Sequence, residues 1–351
     1  MDTLLSRAEI PIIDLAHMGT AEAPVRSGVR RVAAQLHSSL AGKGLALLVN
    51  HGIPEERLRA VYRALDKFCE LPPARRAAYL RQADAGDNHG YVPPGCERFS
   101  GGEVREVRHA FNVARLDRGL PDAEVPGFSD VAAALADDFR RLAALLLRAL
   151  ATGLGLQGDY FLRSHARMMQ SGNATCMRTL YYPPLGAEPT AGLTRCGEHA
   201  DYGTFTLLAQ DCEGGLEVQL PNRRWGRVGH LPGAILVNAG ELLETWTGGN
   251  YAALRHRVVV PEQEGARCRG RHSVAFFVHP DDDTPVAPLA LTPAEAEVQT
   301  TQAQASGVAT PPGRGLARLM SAPAGKPSPK HSPIYTAYQH LQMRLRETYA
   351  S

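Results

Sequence analysis

The sequence predicts a mainly β core with flanking helices, and two observations support this prediction. Between about residue 175 and residue 279, short β-rich runs alternate with Gly, Pro or Asn. Short strands at such regular spacing are typical of an antiparallel sandwich or barrel. The first half of the chain instead repeats its apolar residues at steps of three and four, which indicates amphipathic helices.

The helical half contains three clear helices and one short strand. Ser27 is a candidate N-cap for a helix through VRRVAAQLHSSLAGKG, which has glycines near its end. A short apolar strand is predicted at 45–50, and Pro54 then opens a second helix with acidic residues in its first turn. The longest helical pattern covers 129–156. Its end, GLGLQG, matches a dinucleotide-binding motif in its letters only, because a helix and not a strand precedes it.

The second half supplies the strands and ends in a helix. The β-rich runs are CMRTLYY, GTFTLLAQ, LEVQL, WGRVGHL, AILVNA, ALRHRVVVP and RHSVAFFVHP. From residue 281 to about residue 330 the chain is rich in Pro, Ala, Gly and Thr, which predicts a surface loop or a partly disordered insertion. A last helix is predicted in SPIYTAYQHLQMRLRETY.

Composition argues against several classes of protein. The chain has 351 residues with 38 Lys plus Arg against 36 Asp plus Glu, and the net charge of +2 argues against a broad nucleic-acid-binding surface. Apolar runs stay shorter than the roughly 18 residues that a membrane span needs. The N-terminus does not resemble a signal peptide, and the six scattered cysteines are interpreted as reduced thiols. We therefore expect a cytoplasmic protein without nucleic-acid or membrane partners.

The stretch CGEHADYGTFTLLAQD contains the first candidate site residues. His199 and Asp201 lie two residues apart, so on extended backbone both side chains project to the same side. Two histidines and one carboxylate form the facial triad of mononuclear iron(II) oxygenases, and His256, in a later β-branched run, is the candidate third ligand. The alternatives are a polar turn for His199 and Asp201, and a histidine with a structural hydrogen bond for His256.

The run RHSVAFFVHP adds a second signal. Alternation places Arg271, Ser273, Ala275 and Phe277 on one face, where a charged group requires a partner because an unpaired buried charge is very costly. A dicarboxylate co-substrate would provide that partner, with Arg271 binding its far carboxylate and Ser273 adding a hydrogen bond. The alternative for Arg271 is a structural salt bridge.

Taken together, these motifs resemble the iron(II)/2-oxoglutarate-dependent dioxygenases of the isopenicillin N synthase-like group. The resemblance covers most of the chain. Besides H-x-D, the second histidine and R-x-S, it rests on IPIIDL, LLVNHGIP, GYVPPG, YYPP, GEHADYGTFTLL, GAILVNAGELLETWT and RHRVV. The ordered set of H-x-D, H and R-x-S is specific, whereas each element alone is not. Isopenicillin N synthase and the plant ethylene-forming oxidase keep R-x-S without using 2-oxoglutarate.

The resemblance implies a double-stranded β-helix (jelly-roll or cupin-like) core with flanking helices, in a monomer that acts on a small molecule with Fe(II), 2-oxoglutarate and O2. It also implies a single structural unit with these parts: an N-terminal α/β cap region at 1–120, a long helix and connection at 121–174, the core with the iron site at 175–280, a low-complexity loop at 281–331 and a C-terminal helix at 332–351.

The resemblance also assigns roles to individual residues. Iron ligands are expected at His199, Asp201 and His256, and co-substrate contacts at Arg271, Ser273 and Tyr182. Many relatives have an asparagine where this chain has Leu180, and Arg178 is the candidate to replace the missing polar contact. The expected reaction is C–H hydroxylation, desaturation or oxidative ring closure. The alternatives are an iron oxidase of the same fold that needs no 2-oxoglutarate, a non-catalytic binding protein and, more distantly, a zinc hydrolase.

Candidate substrate contacts come from two groups of side chains. The aromatic candidates, for which an ordinary core position is the alternative, are Tyr91, Phe111, Phe205 and Phe277. The basic candidates are Arg108 and Arg195, in a group with Arg105 and His109, and their alternative is a solvated charged face. If the basic residues point inward, we expect an acidic or amino-acid-derived substrate.

Overall fold

The structure is a computed structural model. It describes residues 3–6, 9–82, 88–97, 105–185, 193–262, 266, 268–289 and 335–349. Within these ranges, none of the helices combines the length and the apolar character that crossing a bilayer requires. Most of the predicted loop at 281–331 lies outside the described residues.

Strands dominate the second half of the chain and helices the first. The strands are β1 (Thr3–Leu4), β2 (Ile12–Asp14), β3 (Leu45–Val49), β4 (Gly90–Val92), β5 (Arg105–Glu106), β6 (His109–Val113), β7 (Cys176–Tyr182), β8 (Leu193–Thr194), β9 (Cys196–His199), β10 (Phe205–Gln210), β11 (Leu216–Gln219), β12 (Trp225–Arg227), β13 (Ile235–Ala239), β14 (His256–Val258), β15 (Arg271–Val278), β16 (Pro285–Val286) and β17 (Tyr335–Thr336). The helices are α1 (Arg26–Lys43), α2 (Glu55–Glu70), α3 (Pro73–Arg76), a 3-10 turn (Ala77–Tyr79), α4 (Phe128–Gly153), α5 (Tyr160–Arg163), α6 (Glu241–Trp246) and α7 (Ala337–Tyr349).

The larger sheet has the strand order β2-β3-β13-β10-β15-β7-β6-β4. Its central strands are antiparallel, and one face packs on α1, α2 and α4. Val274, Phe276 and Val278 of β15 point into this helical layer, while the alternate side chains of the strand point the other way. The predicted alternation along β15 is therefore confirmed.

The smaller sheet, with the order β1-β12-β11-β14-β9, faces the other side of the larger sheet. A second apolar cluster lies between the two sheets and includes Leu180, Leu216 and Val218. A cavity of about 110 Å³ opens within this layer. Two facing antiparallel sheets with helices on the outside form the jelly-roll core that the sequence predicts.

Helix α1 corrects one detail of the sequence analysis. Ser27 is not the N-cap; the helix begins at Arg26 after the extended residue Val25, and no side chain caps it. Tertiary contacts set this boundary, because the Val25 N–H donates to the Met18 carbonyl and Gly28 packs directly against backbone. The end of α1 follows the prediction, with Gly44 in the left-handed region at φ 75°.

Helix α4 is shorter than the predicted 129–156. It ends at Gly153, and the chain then turns through Gly155, whose φ is 75°. Because a helix precedes these glycines, the structure agrees with the rejection of a dinucleotide site there.

The C-terminal helix α7 closes one side of the core. Its first residues follow β17, which pairs with β16. Leu341 and Leu345 on this helix line the cavity between the two sheets. The end of the chain therefore forms part of the wall around the candidate site.

Candidate active site

Two histidines and one aspartate meet at one end of the cavity. His199 ends β9, Asp201 lies in the following connection, and His256 begins β14 directly opposite His199. One ligand atom from each residue lies within 4.8 Å of the other two. Both imidazole Nε2 atoms are 3.8 Å from Oδ1 of Asp201. Neighbouring strands thus bring together residues that are far apart in sequence.

Each imidazole is oriented by its own backbone neighbourhood. Nδ1 of His199 is 2.9 Å from the Gly197 carbonyl oxygen, and Nδ1 of His256 is 3.0 Å from that of Leu254. An imidazole that donates from Nδ1 presents the Nε2 lone pair, as in metal-binding histidines whose other nitrogen donates to a carbonyl. The two Nε2 atoms therefore face the same point.

The aspartate is oriented in a similar way by two polar side chains. Oδ2 of Asp201 accepts hydrogen bonds from Thr206 over 2.6 Å and from Asn238 over 2.8 Å, so Oδ1 remains towards the imidazoles. Burial opposes its ionisation, but His256, His199 and these two hydrogen bonds outweigh burial and lower the pKa of Asp201. Burial also lowers the pKa of both histidines. Neutral imidazoles and an ionised carboxylate form the donor set that Fe(II) requires.

Tight packing fixes the connection that contains Asp201. A side chain on Gly203 would meet the Val278 carbonyl oxygen at 2.5 Å, and one on Gly240 would meet the Gly203 carbonyl oxygen at 2.3 Å. The carbonyl of Asp201 accepts from the N–H of Glu241 over 2.9 Å. The backbones of segments 203–205 and 239–242 therefore pack directly against each other, and this contact sets the position of the Asp201 carboxylate.

A buried arginine lies in the same cavity. The side chain of Arg271 is enclosed; it donates to Gln210 over 3.0 Å and to the Ser273 hydroxyl over 3.3 Å. Its guanidinium carbon is 4.8 Å from the ring centre of Tyr182, the residue opposite it on β7. Within the described part of the chain, no contact of Arg271 is with a carboxylate. The structural salt bridge considered from the sequence is thus not among the described contacts.

Comparisons with known proteins agree with this geometry. The profile of the 2OG-Fe(II) oxygenase superfamily matches residues 173–280, and the profile of the N-terminal region of a non-haem dioxygenase in morphine synthesis matches residues 10–127. The 2-oxoglutarate-dependent dioxygenase frbA of Dothideomycetidae sp. (strain 11243) is 30% identical over 284 residues, which cover 73% of this chain and 82% of that protein. The chain belongs to the 2OG-Fe(II) oxygenase superfamily.

Two further relatives show how widely this similarity extends. Validamycin A dioxygenase of Streptomyces hygroscopicus subsp. limoneus is 28% identical, with 80% of each chain covered. The crystal structure of a 2OG-Fe(II) oxygenase family protein from Caulobacter crescentus has a TM-score of 0.72 at 25% identity and covers 96% of this chain and 98% of that one. This oxygenase is accordingly a dioxygenase that uses Fe(II), 2-oxoglutarate and O2.

Arg178 lines the cavity together with Leu180 and Tyr182, as their shared face predicts, but its charge has a partner within the chain. It is opposite Ala275 in the sheet, whereas Tyr182 is opposite Arg271. Its guanidinium forms a bidentate ion pair with the buried carboxylate of Glu97. Its guanidinium is therefore already bound to a carboxylate, and a contact between Arg178 and the co-substrate stays a prediction.

Glu97, which lines the oxygenase cavity, is the centre of a network of buried hydrogen bonds and ion pairs. Besides Arg178, it accepts from Arg108 over 2.7 Å and from the hydroxyl of Tyr349 on α7. Arg108 also pairs with Glu106 at 2.8 Å. Burial would raise the pKa of Glu97, but the two arginines outweigh burial and keep its pKa well below the usual range. The two arginines and two glutamates balance in charge, which corrects the expectation that Arg108 is available to an acidic substrate.

The aromatic candidates divide between the two faces of the larger sheet. Phe277 lines the cavity, as predicted. Tyr91, Phe111 and Phe205 pack instead in the helical layer behind the sheet, where Phe68 contacts the first two edge to face. These three predictions are wrong, because the residue type does not show which face of a strand points to the cavity.

Several side chains that surround the site carried no role in the sequence analysis. Thr206 and Asn238 orient Asp201, and Glu97 and Tyr349 connect α7 to the sheet. Thr206 and Asn238 lie within the motifs GTFTLL and AILVNAGELL, which were identified without a role for either residue. Glu97 lies in a polar loop whose sequence gives no comparable signal.

Proposed function

We propose that His199, Asp201 and His256 hold Fe(II) in this oxygenase, and that Arg271, Ser273 and Tyr182 bind the distal carboxylate of 2-oxoglutarate. One observation carries the proposal: the three ligand atoms converge in the same cavity as a buried arginine that lacks a carboxylate among its described contacts. A dicarboxylate bound between the three ligand residues and Arg271 would supply oxygen ligands to the metal and a partner for the arginine.

The chain's own residues prepare this site in two ways. Backbone carbonyls and the pair Thr206 and Asn238 fix the directions of the three ligand atoms before any metal binds. The apolar wall, to which Leu180 and Leu345 contribute, excludes water from the reacting atoms. Bound Fe(II) with 2-oxoglutarate and O2 supplies the oxidising power for C–H activation, which the side chains of the chain lack.

For the substrate, we propose a small polar molecule without net charge, which includes amino-acid-derived zwitterions. The balanced charges around Glu97 favour a neutral molecule over a strong acid. Hydroxylation, desaturation or ring closure of such a substrate would each require a C–H bond held beside the three ligands.

The residue assignments are tested by an anaerobic visible spectrum. Purified apoprotein receives Fe(II) and then 2-oxoglutarate, and we expect a charge-transfer band only when both are present. Arg271→Ala should weaken the band and His256→Ala should abolish it, whereas Arg269→Ala, an exposed arginine two residues from Arg271, should leave it unchanged. A band that is as strong in Arg271→Ala as in the wild type would overturn the co-substrate assignment. Iron binding without any band would favour an oxidase that needs no 2-oxoglutarate.

The substrate class is tested by coupling turnover to the release of succinate. Neutral and zwitterionic amino-acid derivatives should stimulate succinate release above the uncoupled rate, and dicarboxylic analogues of the same size should not. Stimulation by the dicarboxylic analogues alone would overturn the proposed class without affecting the iron assignment.

A further inference from the structure

Arg195 is a buried arginine with unused hydrogen-bond donors. Its side chain is 0% exposed, and Nη2 donates over 3.2 Å to the backbone carbonyl of Arg269. Nε and Nη1 have no partner among the described residues. A buried guanidinium normally satisfies its donors, because each unpaired polar group in the interior costs free energy.

The acidic residues nearest to this guanidinium are engaged elsewhere. Asp211 accepts from the backbone N–H of His272 and lies beside that residue's ring, and Glu213 pairs with the exposed side chain of Arg269 at 2.7 Å. The buried guanidinium therefore has no carboxylate within salt-bridge distance in the described part of the chain.

A second observation is the proximity of Arg271. Arg195 donates to the carbonyl of Arg269, two residues before Arg271 on the chain, so the two guanidinium groups lie in the same part of the fold. In agreement with this position, burial lowers the pKa of Arg195 and the positive charge of Arg271 lowers it further. Both arginines are enclosed, and Arg271 likewise keeps an unpaired Nε. Two enclosed charges of the same sign repel each other and have lost their hydration, so an anion between or beside them would relieve both costs.

The other arginines near the cavity show the contrast. Arg108 and Arg178 share the carboxylate of Glu97, which accepts four hydrogen bonds when the Tyr349 hydroxyl is included. Arg108 and Arg178 therefore have a carboxylate partner, whereas Arg271 and Arg195 have none within salt-bridge distance among the described residues, since Asp211 and Glu213 are paired elsewhere. Arg271 lies where the proposed function places a dianionic co-substrate.

We propose that Arg195 is a second cationic determinant for the distal carboxylate of 2-oxoglutarate, acting from outside the residues that line the cavity. The proposal rests on the proposed function. Arg271 and Ser273 line the cavity and contact the carboxylate, while Arg195 contributes positive potential from the second layer. The site then selects 2-oxo acids that have a second carboxylate over those that lack one.

The test compares two 2-oxo acids that differ only in the distal group. Dissociation constants are measured by anaerobic titration of the Fe(II) protein with 2-oxoglutarate and with 2-oxopentanoate, in the wild type, Arg195→Gln and Arg195→Lys. Arg269→Gln is the matched control, because it removes the same charge from an exposed position nearby and leaves the backbone carbonyl that Arg195 uses. Unfolding temperatures of the metal-free proteins, with and without glutarate, give a readout that depends on neither iron nor turnover.

For Arg195→Gln we expect the dissociation constant of 2-oxoglutarate to rise about tenfold or more, and that of 2-oxopentanoate to change by less than about twofold. Arg195→Lys should keep most of the selectivity, and Arg269→Gln all of it. Without ligand, Arg195→Gln should melt at or above the wild-type temperature, because an unpaired buried charge has been removed, and it should gain less from glutarate.

Two results would overturn the inference. An equal loss of affinity for both acids, or no loss, would show that Arg195 does not act on the distal carboxylate. A lower unfolding temperature with unchanged selectivity would show that the residue serves only to hold the Arg269 carbonyl. If the wild-type protein itself does not bind 2-oxoglutarate, the proposed function is wrong. This outcome differs from the two results above, in which the wild type binds 2-oxoglutarate and only the effect of Arg195→Gln is unexpected.

Discussion

Asn238 donates a hydrogen bond over 2.8 Å to Oδ2 of Asp201, from a central strand of the larger sheet to the connection between β9 and β10. Together with Thr206, it uses the oxygen that does not face the imidazoles. The sheet thus holds the carboxylate in position before a metal arrives. A similar second layer of hydrogen bonds orients the ligands of many metal sites.

Asn238→Ala should therefore weaken Fe(II) binding by about 10- to 100-fold, without changing the fold. The same reasoning predicts that Thr206→Val weakens binding and that Thr206→Ser, which keeps the hydroxyl, does not. Isothermal titration with Mn(II) as a redox-stable substitute measures all three variants. An unchanged affinity in both Asn238→Ala and Thr206→Val would show that the carboxylate needs no external support.

Gly240→Ala should disrupt the metal site from outside it. The added methyl group would lie 2.3 Å from the Gly203 carbonyl oxygen and 3.0 Å from that of Asp201, and backbone cannot move aside as a flexible side chain can. We expect metal affinity to fall by at least about tenfold, with a loss of roughly 2 kcal/mol in unfolding free energy. Gly233→Ala is a suitable control, since its added methyl would meet nothing within 4 Å, although its positive φ adds a small strain. Equal metal affinity in the two variants would show that the packing of Gly240 on Gly203 does not position the Asp201 carboxylate.

Most strands of the core could be predicted from the sequence, because they show a clear alternation and clear boundary residues, but β9 was not among the predicted runs. Strand β7 is CMRTLYY in both the prediction and the structure, and β15 differs only by the two residues after Val278. Helix starts depended on contacts that local sequence does not contain. At α1, the packing of Gly28 on backbone outweighed the capping preference of Ser27.

The candidate site could be predicted in part for a similar reason. Chemical type and spacing pointed to the three ligand residues and to Arg271, but they did not show which face of each strand meets the cavity. Phe205 is an example, because its neighbour Thr206 faces the site and Phe205 faces the helices. The Glu97 network could not be predicted from the sequence, because Tyr349, which donates to Glu97, lies 252 residues further along the chain.

Glu97→Gln should destabilise the protein strongly, because it leaves two buried arginines without their shared carboxylate. We expect a loss of about 3 kcal/mol or more in unfolding free energy, and about 1 kcal/mol for Tyr349→Phe, which removes one hydrogen bond. Glu55→Gln, at an exposed ion pair on α2, should cost less than about 0.5 kcal/mol. Urea unfolding measures these differences, and a Glu97→Gln value similar to that of Glu55→Gln would show that the network contributes little.

His272 connects α2 to β15 through two carboxylates. Its Nε2 is 2.6 Å from Asp66 and its Nδ1 is 3.5 Å from Asp211, while the ring stacks on Tyr181. Burial of the ring opposes protonation, but the hydrogen bonds to Asp211 and Asp66 outweigh it and raise the pKa of His272 to about 9. The protonated ring is therefore more stable in the folded chain than in the unfolded chain, where the pKa of histidine is about 6.5.

This difference predicts how stability depends on pH. A raised pKa in the folded state contributes stability that is complete below about pH 6.5 and is lost as the pH rises through about 9. Asp66 is 39% exposed, so solvent screening reduces the contribution to roughly 1–2 kcal/mol. Urea unfolding at about pH 6 and about pH 9.5 should therefore show a larger decrease in the wild type than in His272→Gln, with the exposed His230→Gln behaving as the wild type. If His272→Gln lost as much stability over this range as the wild type, the ion pairs of His272 would not be the source of the decrease.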